Sequence, residues 1–155
     1  WGLKYDKKMA SVIAKYQAAC CLMHNREKAE YQDFLKDFMD DMKECVRLAK
    51  AAGIEDDKII LDPGVGFGKT YEMNLEIIDK MEILNELGYP VLLGTSRKSV
   101  IGLTLDLPSD ERVEGTIVTT VMGVEKGAAF VRVHDVKENL RAIRMTQAIL
   151  RECKA

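Results

Sequence analysis

Residues 59–70 read IILDPGVGFGKT, and residues 71–87 continue YEMNLEIIDKMEILNEL. A short apolar run, residues 59–61, ends on Asp62 and a Pro63-Gly64 turn. A glycine-rich loop follows. Apolar residues then recur at helical spacing over 71–87, with Leu75, Ile78, Met81 and Leu84 inward and Thr70 as cap. Gly88 and Pro90 stop that helix. The stretch is one strand–loop–helix unit.

The same pattern extends in both directions. Upstream, residues 31–52 place Phe34, Phe38, Met42, Cys45 and Ala49 on one helical stripe, widened by Leu35, Met39, Val46 and Leu48, with Gly53 as the stop. The run AACCLM (18–23) precedes it as a strand ending at His24-Asn25, and residues 6–16 form an earlier helix through Met9, Val12, Ile13 and Tyr16, capped by Asp6. Downstream, VLLG (91–94) is a strand ending in Thr95-Ser96-Arg97-Lys98. Pro108 and Ser109 lead into a helix over 111–126, where Gly115 and Gly123 permit close helix–sheet contact before Gly127 closes it. AFVRV (129–133) is the last strand, and Asp135 with Glu138 has capping-box spacing for a helix to about residue 150.

The order is one helix and then four βα units. Short, continuously apolar strands fit a parallel sheet covered by helices, with polar residues gathered where strands end. Periodicity alone does not separate a barrel from a doubly wound sheet. The chain has 155 residues, enough for one domain with a core, and is 47% hydrophobic and 31% charged. A net charge of −2 and a pI near 5.8 argue against wholesale nucleic-acid or anionic-membrane binding. No stretch has the length of a membrane span and no secretory leader is present. Trp1 in place of a start methionine points to a chain that begins inside a longer protein. Cys20, Cys21, Cys45 and Cys153 match no zinc or redox spacing, and a reducing cytoplasm is the simple reading.

The chemistry sits at the strand ends. Asp62 is placed to accept two hydrogen bonds from an amidine-like edge, or else to serve as a turn aspartate. Lys98 can donate to a heterocycle or offset negative charge, or simply face solvent; Arg97 has the same options and can pair structurally. Strand alternation sets Phe130, Arg132 and His134 on one side. A guanidinium there stacks on a flat ring or binds phosphate, and the histidine can donate to phosphate near the next helix. GVGFGKT (64–70) misses the Walker spacing by one residue, so its glycines read as backbone brought close to a ligand, with Phe67 offering an apolar contact. Two histidines and no HExxH or clustered carboxylates give no metal site, and no G-x-S-x-G elbow is present.

The strings CLMHNR (21–26), ILDPGVGFGKT (60–70), YPVLLGTSRKSVIG (89–102) and FVRVHDV (130–136), with ERVEGT (111–116) before the last, resemble in order the signatures of the dihydropteroate synthase family. The resemblance implies an α/β fold, the (β/α)8 TIM barrel, with this chain covering strands five to eight: residues 1–155 are the carboxy-terminal part of a pterin-binding barrel domain. It implies a cytoplasmic transferase of folate biosynthesis, the sulfonamide target. That enzyme condenses 6-hydroxymethyl-7,8-dihydropterin diphosphate with para-aminobenzoate to give 7,8-dihydropteroate and diphosphate. It works with Mg²⁺, as a homodimer in the full-length protein. Carried over residue by residue, Met23, Asp62, Gly94, Lys98, Arg132 and His134 match pterin and diphosphate contacts, Phe67 and Ser99 match the aminobenzoate site, and Lys98, Arg132 and His134 match catalytic positions. No residue here matches a family metal ligand. A full barrel needs roughly 250 residues, so the amino-terminal half that completes the site is missing. The alternative is therefore an incomplete pterin- or diphosphate-binding fragment without turnover. A pterin-dependent methyltransferase and a generic phosphate-binding half barrel are the remaining readings.

Overall fold

Strands β1 (Cys20–Met23) and β2 (Ile59–Asp62) pair in parallel with Met23 beside Asp62, and β3 (Leu92–Leu93) and β4 (Phe130–Val131) pair in parallel with Leu92 beside Phe130. A single bridge between Leu61 and Val91 joins the two pairs into the order β1-β2-β3-β4. The computed structural model describes residues 2–152; Trp1 and Cys153 lie outside the described residues.

Each strand returns through helices: α3 (Phe34–Ala51) after β1, α4 (Tyr71–Asp79) after β2, α5 (Ser99–Leu105) and α6 (Val113–Glu125) after β3, and α7 (Val136–Glu152) after β4. Leu22, Ile59, Leu61, Val91 and Leu93 form the buried face of the sheet, and Phe38, Met42, Ile77, Met81 and Leu84 complete the core. The opposite face is open. Cys21 is exposed, Ile60 and Leu92 are half-buried, and Phe130 is 47% exposed. A doubly wound sheet would be covered on both faces; cover on one face is that of a barrel segment, here unclosed, with β1 and β4 as its edges. Gly123 lets α6 approach the sheet, since a Cβ there would lie 2.6 Å from Leu93.

Several sequence expectations are corrected. The helix expected over 31–52 starts at Phe34, because Asp33 caps it by accepting from the Lys36 N–H at 3.1 Å. The helix over 71–87 breaks at Lys80 into α4 and a 3-10 turn, Met81–Leu87. Leu75 accordingly faces out at 42% exposure, and Asn74 takes the inward place. Asn74 is fixed there because its Oδ1 accepts from the Gly66 N–H and its Nδ2 donates to the Thr70 carbonyl. α5 was not legible: seven residues are too few to show a period. The helix expected from 111 begins at Val113, after Arg112 folds its guanidinium back onto the carbonyls of Leu107 and Arg97. The first helix is two pieces, α1 (Gly2–Tyr5) and α2 (Met9–Lys15), with Asp6 accepting from the Lys8 N–H between them. Met9, Val12 and Tyr16, expected inward, are exposed. Regular pairing is shorter than expected in β1, β3 and β4, because strand ends leave the ladder to form the loops. Asp135, expected at the entry of the last helix, accepts the Asn139 N–H with its carbonyl and pairs its side chain with Arg97 at 2.7 Å.

Leu61 is fully buried at the bridge that joins the two strand pairs. Leu61→Ala is expected to cost about 2–5 kcal/mol of stability in urea unfolding. Leu103→Ala, at a residue 68% exposed, is expected to change stability by less than about 0.5 kcal/mol.

Candidate functional site

Parallel strands place their carboxyl ends on one side, and four of the residues singled out by sequence line one cavity there. Gly94, Ser96, Lys98, Arg132, Val133 and His134 enclose about 100 Å³. Asp62 stands at the end of β2 beside it. One oxygen, Oδ1, accepts the Gly64 N–H at 2.7 Å; among the described residues no hydrogen bond engages Oδ2. The turn thus uses one oxygen, Oδ1, and leaves Oδ2 for another donor. Burial pushes the Asp62 carboxyl up from its ordinary range, while the Gly64 N–H and the charges of Lys98, Lys69 and Arg132 pull it down.

Lys98 stands at the entry to α5, and its side chain reaches back over the loop after β2. Its Nζ donates to the Val65 carbonyl and lies 4.8 Å from the centre of the Phe67 ring. Burial lowers its pKa, and Asp62 opposes that. Exposure alternates after β4 as the sequence predicts: Phe130, Arg132 and His134 face out, Val131 and Val133 are half-buried. The Arg132 N–H still donates to the Leu93 carbonyl.

His134 is oriented by a residue that sequence reasoning left without a role. Ser96 Oγ accepts the His134 backbone N–H at 3.1 Å and lies 2.9 Å from His134 Nδ1. With the hydroxyl donating to Nδ1, both groups are satisfied and the imidazole proton sits on Nε2, facing away from Ser96. Three cationic or donor side chains facing one carboxylate can hold a ligand that carries hydrogen-bond donors at one end and anionic oxygens at the other.

Not every candidate joins the cavity. Met23 is level with Asp62 but lines a separate groove of about 200 Å³ along β1, with Leu3, Met9, Ile13 and Cys45. Phe67 is 41% exposed beside Lys98. Ser99 is exposed at the start of α5 and is not part of the cavity lining. Among the described residues, no group of three or more His, Cys, Asp or Glu is placed to hold a metal ion.

His24, expected among the strand-end polar groups of the mouth, instead turns inward at 2% exposure. Its Nε2 donates to Asp41 at 3.1 Å, and Arg26 Nε donates to the same carboxylate oxygen at 2.6 Å. Its Nδ1 accepts from Lys69 at 2.8 Å. Burial, reinforced by the Lys69 charge and opposed by Asp41, pushes the His24 pKa down to about 4. Lys69, which the sequence offered only as part of a failed phosphate-loop spacing, is pushed down to about 7, mainly by burial.

The chain matches the family model described as Pterin binding enzyme over residues 1–134. It is 60% identical to a dihydropteroate synthase of Clostridium beijerinckii over 152 residues, 97% of this chain and 56% of the relative. It is 52% identical to the dihydropteroate synthase of Bacillus subtilis, over 97% of this chain and 53% of the relative. The chain therefore spans about half the length of the curated relatives it matches. Among solved structures, a dihydropteroate synthase from Clostridium difficile, crystallised in the presence of pteroic acid, superposes with a TM-score of 0.93 at 53% identity, covering 96% of this chain and 57% of that one. A Yersinia pestis dihydropteroate synthase in complex with a sulfonamide drug superposes with a TM-score of 0.89 at 32% identity, covering 93% and 55%.

The buried histidine gives a pH signature. His24 titrates near 4 in the folded chain and near 6.5 unfolded. Between those values the unfolded chain binds the proton and the folded one does not. Stability is therefore lost as pH falls from about 6.5 to about 4, by on the order of 3 kcal/mol. Urea midpoints measured across that range are expected to fall less steeply for His24→Gln, which keeps a donor and an acceptor and does not titrate.

Proposed function

Because this chain belongs to the pterin-binding enzyme family, we propose that it is the strand-five-to-eight half of a dihydropteroate synthase barrel. In this reading it binds the dihydropterin diphosphate substrate and does not by itself turn it over. The carrying observation is the Asp62 carboxylate, with Oδ2 uncommitted, set beside the cavity that Lys98, Arg132 and His134 line.

Asp62 accepts from the pterin amino group and its neighbouring ring N–H, which fixes the heterocycle in register. Lys98 donates to the pterin from another edge. Arg132 covers the ring and holds diphosphate oxygens, and His134 donates Nε2–H to the leaving diphosphate, oriented by Ser96. In the whole enzyme the methylene–oxygen bond breaks, diphosphate takes the electron pair, and the aryl amine of para-aminobenzoate attacks the methylene carbon and then loses a proton. Phe67 and Ser99 border the place of that second substrate. These residues orient and stabilise charge; none of them forms a covalent bond to substrate.

The cavity's Lys98, Arg132 and His134 suit phosphate oxygens rather than a cation, and no described cluster suits Mg²⁺. Mg²⁺ is part of the reading as the counter-ion carried by the diphosphate, and no step here depends on it. Turnover needs what the chain lacks relative to its relatives, which extend to nearly twice its length. A cytoplasmic setting belongs to the same reading, with Cys20, Cys21 and Cys45 as free thiols.

Calorimetric titration of the chain with dihydropterin diphosphate, with and without Mg²⁺, followed by addition of para-aminobenzoate, tests this. Saturable binding without dihydropteroate formation is expected. Asp62→Asn is expected to weaken the pterin ligand at least about tenfold, some 1.4 kcal/mol, while inorganic diphosphate binds as before. Equal affinity for inorganic diphosphate and the pterin ligand would overturn pterin recognition, and product formation would overturn the absence of turnover.

A further inference from the structure

The loop between β2 and α4, residues 64–68, has almost no bonding of its own. Its single internal hydrogen bond runs from the Phe67 N–H to the Gly64 carbonyl at 3.0 Å, and Gly64, Gly66 and Gly68 all have positive φ. Everything else that fixes it comes from side chains outside it. Lys98 takes the Val65 carbonyl, Tyr31 donates to the Gly68 carbonyl at 2.6 Å, and Lys69 Nζ donates to the carbonyls of Gly64 at 3.0 Å and Phe67 at 3.1 Å.

We propose that Lys69 is a positioning residue: it ties this loop to His24 and so sets where Phe67 and Lys98 meet a ligand. An ammonium has three N–H bonds, and Lys69 has three acceptors, the two loop carbonyls and His24 Nδ1 at 2.8 Å. The His24 ring is itself immobilised. Asp41 holds Nε2, Arg26 holds Asp41, and the Phe38 ring lies 4.7 Å away. The tie therefore runs from helix α3 through His24 and Lys69 into the loop. From the loop it continues to Lys98 through the Val65 carbonyl and the Phe67 ring. Lys69 is not among the residues that line the cavity, so it acts through these residues.

The charged and titratable groups facing Lys69 are His24 at the end of β1, Asp41 on α3, Asp62 at the end of β2 and Lys98 after β3. When Lys69 loses its proton, near pH 7, two N–H bonds remain for three acceptors, and one loop carbonyl is released.

The test is fluorine NMR of the full chain labelled with 4-fluorophenylalanine, the Phe67 signal being assigned with Phe67→Leu. In the unaltered chain the Phe67 resonance is expected to move with a midpoint near pH 7 while that of Phe130 stays put. Lys69→Arg, which remains charged, is expected to abolish the midpoint. A flat Phe67 signal in the unaltered chain, or the same midpoint in Lys69→Arg, would sink the proposal. Lys69→Met, where it folds, is expected to bind dihydropterin diphosphate more weakly, on the order of tenfold; unchanged affinity would count against it. The identity of the ligand rests on the function proposed above, but the ligand-free titration does not. Failure of the chain to bind the pterin would remove that function and leave the Phe67 measurement decisive for Lys69.

Discussion

Two strands that run parallel cannot be joined by a tight turn; each must be followed by a return path across the sheet. That constraint organises this chain. The helices that carry the return cover one face of the sheet with Leu22, Ile59, Leu61, Val91 and Leu93 beneath them. Because every strand points the same way, Met23, Asp62, Gly94 and Arg132 come to the same end without any of them being neighbours in sequence. The single bridge between Leu61 and Val91 carries much of this, since it is what sets Asp62 beside the groups that follow β3 and β4.

The mouth is a balance of opposed charges. Asp62 loses hydration through burial and recovers part of that loss from one backbone N–H and three nearby cations. Lys98 is shifted down by its own burial, and the Asp62 charge restores part of that shift. Neither group is spent on a direct ion pair with the other: Asp62 binds Gly64, and Lys98 binds Val65. Arg97, by contrast, is closed off in a two-point contact with Asp135. The distinction separates groups available to a ligand from groups that lock α7 to the loop after β3.

The sequence made the strand–helix alternation legible because the apolar runs are short and bounded, and because the α3 stripe is strongly periodic. It located Asp62, Lys98, Arg132 and His134 by position at strand ends, and the structure brings the last three together around one cavity. What escaped had physical reasons. α5 is seven residues long and follows directly on Lys98, which reads equally well as the tail of a strand. Leu75 loses its inward place because Asn74 has two backbone partners, which periodicity does not register. His24 follows a strand and so belongs by position to the mouth; only the reach of Asp41 and Lys69, 17 and 45 residues away, turns it inward.

The glycines of the loop after β2 also bear on how such a site can change over generations. A methyl group on Gly64 would fall 1.9 Å from the His24 carbonyl oxygen, and one on Gly68 would fall 2.5 Å from that of Arg26. Both positions also need a left-handed backbone. Every single-codon replacement at either glycine therefore meets backbone, which cannot step aside. A lineage under pressure to alter how this mouth receives a molecule is left with exposed side chains around it, Phe67 and Ser99 among them, while geometry resists change at the two glycines that frame the loop.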